Sequence, residues 1–70
     1  MIVEVFKTNV NEIEMSEQLI RQVLDHFPHS RVNFDMEDCD RILRVEATIV
    51  IPEKIIEIIE ANGYLCEVLI

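Results

Sequence analysis

Two cysteines, two histidines and a run of carboxylates are the side chains of this 70-residue chain whose types could do chemistry. Cys39 lies between Asp38 and Asp40. Acidic neighbours raise a thiol pKa and blunt its reactivity, so an exposed, inert thiol is expected there. Cys66 alternates with Val68 in the apolar stretch YLCEVLI, the setting of a buried structural thiol. The two fall on strands separated by at least two spacings, about 10 Å. A disulfide needs Cα atoms within about 7 Å, so none is expected. Cys39 or Cys66 could serve a soft metal only if a dimer brought thiols from two chains together. His26 and His29 flank Phe27-Pro28 without an evident third ligand. Imidazoles at a helix C-terminus suit its negative end. Asp35, Glu37, Asp38 and Asp40 offer oxygen ligands of the kind Ca²⁺ or Mg²⁺ takes, yet lack the spacing, central Gly and closing Glu of an EF-hand loop. They read as a solvated acidic rim. In a functional role, Glu37, Asp38 and Asp40 would dock a Lys/Arg-rich partner. Gly63 is the only glycine, which excludes a Gly-rich phosphate loop, and no Ser/His/Asp or Cys/His order suggests a nucleophile. Neither an enzyme nor a bound cofactor is expected.

The net charge of −8, from 14 acidic and 6 basic residues, argues against a grip on nucleic-acid phosphates or an anionic membrane surface. The N-terminal MIVEVFKTNVNE has no basic segment leading into a long apolar one, and the longest apolar runs are far short of a membrane span. A reducing cytosol is the expected location, consistent with only two cysteines.

The elements that must position these groups follow from periodicity. Residues 2–7 (IVEVFK) read as a strand and the polar TNVNEIE as a loop. Met15, Leu19, Ile20, Val23, Leu24 and Phe27 recur at helical spacing over 16–27, with Ser16 as the expected N-cap, Asn11 and Glu14 as an alternative capping box, and Pro28 as the stop. Residues 31–36 and 41–46 alternate and form a hairpin across Glu37 to Asp40. Residues 52–62 make a second helix, begun by Pro52 and ended by Asn62-Gly63, with Ile55, Ile56 and Ile59 inward and Ile58 flanking. Residues 64–70 close as a strand. This β-α-β-β-α-β order predicts one α+β, ferredoxin-like domain over 1–70. Its four-stranded antiparallel sheet takes the order 4-1-3-2, with both helices on one face. The first loop, the hairpin and the loop before the last strand then share one end.

The stretch Ile55-Ile-Glu-Ile-Ile-Glu-Ala-Asn-Gly-Tyr64 resembles the closing helix and Gly-Tyr segment of heavy-metal-associated domains of the copper-chaperone kind. Ile20, Leu24 and Phe27-Pro28 are spaced like that family's first helix, and Asn33-Phe-Asp-Met like its second strand. The resemblance spans nearly the whole chain and implies the same βαββαβ fold. The family binds soft metals through a Met-x-Cys-x-x-Cys loop. A gapless alignment on Leu24 to Pro28 places Asn11, Ile13 and Ser16 at the Met and two Cys positions. With no thiolate there, the implied metal transfer does not carry over.

With both helices on one face, the other face of the sheet is left to solvent or protein. Alternation puts Val3 and Val5 inward and Ile2, Glu4 and Phe6 outward, together with Ile42, Arg44 and Glu46, and Leu65, Glu67 and Leu69. Ile2, Phe6, Ile42, Leu65 and Leu69 would form a half-apolar surface for a homodimer or a protein partner. A non-catalytic interaction or regulatory module is therefore the expected function. A soft-metal carrier across a dimer remains open, as does a small-molecule sensor on fold analogy alone.

Overall fold

The computed structural model describes residues 1–37, 39 and 41–69. Strand β1 is Ile2–Thr8, helix α1 Ile13–His26, β2 Arg31–Asp35, β3 Ile42–Ala47, α2 Pro52–Ala61 and β4 Cys66–Val68. The strands form one antiparallel sheet in the order β2-β3-β1-β4, the expected ferredoxin-like order read from the opposite edge.

Both helices pack on one face. Leu19 and Val23 of α1 and Ile55 and Ile59 of α2 meet Phe6, Leu43 and Val45 of the sheet, all essentially without solvent contact. Ile58 is buried beside Ile55 and Ile59, while Ile56 stays half-exposed, so those two exchange their expected places.

The face assignment of β1 is corrected by one residue. Phe6 is 0% exposed and joins the core, whereas Val3 is 47% exposed on the open face. The reason lies in the pairing. Phe6 stands opposite Leu43 and Glu4 opposite Val45, so even-numbered residues of β1 share the helix side with the core residues of β3. As an interior strand, β1 carries apolar residues on both faces, and its own alternation does not reveal which is inside. Ile2 also lies on the helix side, opposite Ala47, and is exposed only because it sits at the sheet margin. Ile42 does point to the open face, yet it is buried in its row between Lys7 and Asp35. Neither Phe6 nor Ile42 is therefore an exposed contact residue, and Ile2 is exposed on the wrong face.

Helix α1 begins earlier than Ser16. Glu12 is its N-cap residue and makes no side-chain capping bond. The Ser16 amide donates to the Glu12 carbonyl (3.0 Å) and its hydroxyl to the Ile13 carbonyl (2.6 Å), so Ser16 is a buried residue of the first turn and not a cap. Helix α2 ends as expected. Gly63 adopts φ +89°, where a side chain would be strained, and its amide donates to the Glu60 carbonyl at 2.9 Å.

Candidate functional site

Among the described residues, three connections tie together the end of the sheet that carries the first loop. The Thr8 hydroxyl donates to the Arg41 carbonyl at 2.6 Å and accepts from the Val10 amide at 3.3 Å, joining the end of β1 to the hairpin. Asn9 Oδ1 accepts from the Leu65 amide at 2.8 Å. Tyr64 donates from its hydroxyl to Glu12 Oε1 at 3.3 Å. Burial, followed by the Glu12 charge and this hydrogen bond, pushes the Tyr64 phenol pKa up. The first loop, the hairpin and the segment before β4 thus share one end, as the topology requires.

Ile13 and Ser16 sit at this end but differ in setting. Ile13 is 68% exposed, while Ser16 is buried with its hydroxyl bonded locally. Neither supplies a metal ligand. Cys39 is exposed, Cys66 is buried and both are free thiols. Burial, then the Glu60 and Glu67 charges, pushes the Cys66 thiol up to about 12, far from a thiolate at neutral pH. Cys66 lines a groove of about 350 Å³ between Thr8, Asn9, Leu65 and Glu67. His26 and His29, both exposed, lie beside a second groove of about 280 Å³ near Pro28 and Ile49, where the His26 Nδ1 lies 3.0 Å from the Gln22 carbonyl. Among the described residues, no group of three or more His, Cys, Asp or Glu side chains is arranged to hold a metal ion. Glu37 is exposed, and its amide donates to Asp35 Oδ1 at 3.2 Å. Asp38 and Asp40 of the acidic rim lie outside the described residues.

The open face of the sheet is the face that neither helix covers. The register arranges it in rows across the strands. Arg31, Glu46 and Val3 form one row, and Asn33, Arg44 and Val5 the next. Leu69 extends the second row, since its amide donates to the Val5 carbonyl at 2.8 Å. Asp35, Ile42, Lys7 and Glu67 form the third row, with Leu65 beyond it opposite Asn9. The exposed apolar residues, Val3 (47%), Leu65 (67%) and Leu69 (42%), fall on the β1–β4 half with half-buried Val5 among them. Leu65 and Leu69 are where alternation places them. Val3 and Val5 are the members that sequence reasoning misses, and the signal that finds them is their pairing with Glu46 and Arg44, the polar side of β3.

Among the described residues no helix is long and apolar enough to cross a membrane. Comparison of the chain with protein-family models, with curated proteins and with solved structures finds no match in any of the three.

Proposed function

We propose that this chain is a small, non-catalytic interaction module of the reducing cytosol, related in plan to heavy-metal-associated domains, and that it works through its open sheet face. The observation that carries this reading is the cluster Val3, Val5 and Leu69, with Leu65 beyond the Lys7–Glu67 row, on the face that no helix covers. Exposed apolar residues gathered on an uncovered face and rimmed by charge suit a protein contact. Ser16, buried with its hydroxyl bonded inside the helix, and the exposed Ile13 put no thiolate in the loop where heavy-metal-associated domains hold their metal.

The test is Val5→Glu, which changes the cluster without touching the core. The variant should keep the wild-type circular dichroism and unfolding midpoint within about 1 kcal/mol, and lose association in sedimentation and in affinity recovery from cytosol. Ile49→Glu, at an exposed site in the loop before α2, should leave association intact. Equal association by wild type and Val5→Glu would remove the open face from consideration.

A second reading, a small-molecule sensor, has the groove beside Cys66 in its favour. Its volume of about 350 Å³ lies at the small end of ligand sites, which run from about 300 to 1,000 Å³.

A further inference from the structure

The charges of the open face cancel, and those of the rest of the molecule do not. Among the described residues of the strands, Lys7, Arg31 and Arg44 lie on this face with Asp35, Glu46 and Glu67, three cations against three anions. The whole net charge of −8 is therefore carried by the remainder of the chain. Two copies approaching by any other surface bring like charge together, which costs energy over a Debye length of about 10 Å at 0.1 M salt. A strongly basic partner, conversely, would find its complement elsewhere on the molecule and not on this neutral face.

Resting on the proposal that the open face is the interaction surface, we infer that its occupant is a second copy of this chain, packed sheet to sheet around a two-fold axis that runs along the strands between β1 and β4. Such an axis lays β1 of one protomer over β4 of its partner with rows preserved. Val5 and Leu69 occupy the same row, as do Lys7 and Glu67. The rotation therefore sets Val5 of each protomer against Leu69 of the other, and Lys7 against Glu67, each contact occurring twice. This is the self-complementarity an isologous interface demands, within the roughly 30° crossing that twisted sheets adopt when they stack. Two strands make a stripe of roughly 10 Å by 20 Å, small beside the ~1,200 Å² of total surface buried in a specific stable interface. The dimer is accordingly weak and reversible, with a Kd on the order of tens of micromolar.

Two features separate this dimer from any other use of the face. Added salt screens the −8 against −8 repulsion, so self-association strengthens from roughly 0.02 to 0.5 M salt, where capture of a basic partner would weaken. The charged contacts also make a mixing experiment possible. In Lys7→Glu the contact becomes carboxylate against carboxylate, and in Glu67→Lys ammonium against ammonium. Each variant alone should associate at least about tenfold more weakly than wild type. Mixed in equal amounts they restore opposite charges at both contacts, so a heterodimer of near wild-type affinity should form. Glu67→Lys also lowers the net negative charge, so its weaker association cannot arise from overall repulsion. Sedimentation velocity of wild type, each variant and the mixture reads all of this, with circular dichroism confirming that each variant folds. A wild type that stays monomeric at hundreds of micromolar and high salt overturns the second-copy inference, as does a mixture that associates no better than its components. If such a monomer still recovers a different protein, and Val5→Glu loses it, the open-face reading stands while the dimer falls. If Val5→Glu changes nothing, both fall.

Discussion

Replacing Phe6 by Ala removes the largest fully buried side chain among the described residues and should lower stability by about 3–5 kcal/mol, read as a shift in urea midpoint. Phe6→Glu should fail to fold, because a carboxylate would stand unpaired against Leu43. A folded Phe6→Glu would show that β1 faces the other way. Thr8→Val keeps the shape of the side chain but strands the Arg41 carbonyl and the Val10 amide, and should cost about 1–3 kcal/mol. Cys66 gives a pH dependence of known sign. Its thiol pKa is raised from 9.0 to about 12 in the folded state, so between these values the unfolded chain releases a proton that the folded chain keeps. Stability from this group is fully present below about 9 and is lost as pH rises toward 12, with a slope of up to about 1.4 kcal/mol per pH unit. Urea midpoints across that range should fall less steeply in Cys66→Ala than in wild type, and equal slopes would show that the thiol is not buried as described. At this scale the sequence reveals Cys66 as interior, from its alternation with Val68. It conceals Phe6, because Ile2, Val3, Val5 and Phe6 populate both faces of an interior strand and only the pairing with β3 selects between them.

Helices α1 and α2 are joined by an amide clasp that no periodicity announces. Asn62 Nδ2 donates to Gln22 Oε1 at 2.8 Å and to the Ile58 carbonyl at 2.7 Å, while Gln22 Nε2 donates to Asn62 Oδ1 at 3.2 Å. The clasp spans 40 residues of sequence and fixes one helix end against the other. A double-mutant cycle with Gln22→Ala and Asn62→Ala should return a coupling of about 0.5–1.5 kcal/mol, and an additive result would mean that the two amides act separately. Gly63→Ala should cost about 1 kcal/mol through backbone strain alone, since no atom lies within 4 Å of the added Cβ. The two helices, the hairpin and the strand order are legible in the sequence because each has a periodic apolar pattern and a chemical stop, Pro28 and Gly63 above all. The start of α1 is not legible. Ser16 has the chemistry of a cap, but its hydroxyl is satisfied within the helix and Glu12 takes the boundary without a capping bond.

At the scale of the whole molecule, charge and shape divide the surface in two. The helix layer shields the core, and the open face pairs neutrality with an apolar cluster along β1 and β4. Raising salt should therefore act twice, stabilising a monomer that carries −8 and promoting its contact with a second copy. Half of the candidate surface, Leu65 and Leu69, can be read from the last strand alone. The other half, Val3 and Val5, depends on long-range pairing between β1 and β3. The neutrality of the face depends on that same pairing, because it gathers Lys7, Arg31 and Arg44 from three strands. The measurement that bears most directly on the account follows backbone amide chemical shifts while the wild-type protein is diluted from roughly hundreds to tens of micromolar at high salt. Concentration-dependent shifts should be confined to Val3, Val5, Lys7, Glu67 and Leu69 and their row neighbours, with both helices silent. Shifts centred on α1 and α2, or none at any concentration, would contradict a second copy docking on the open face.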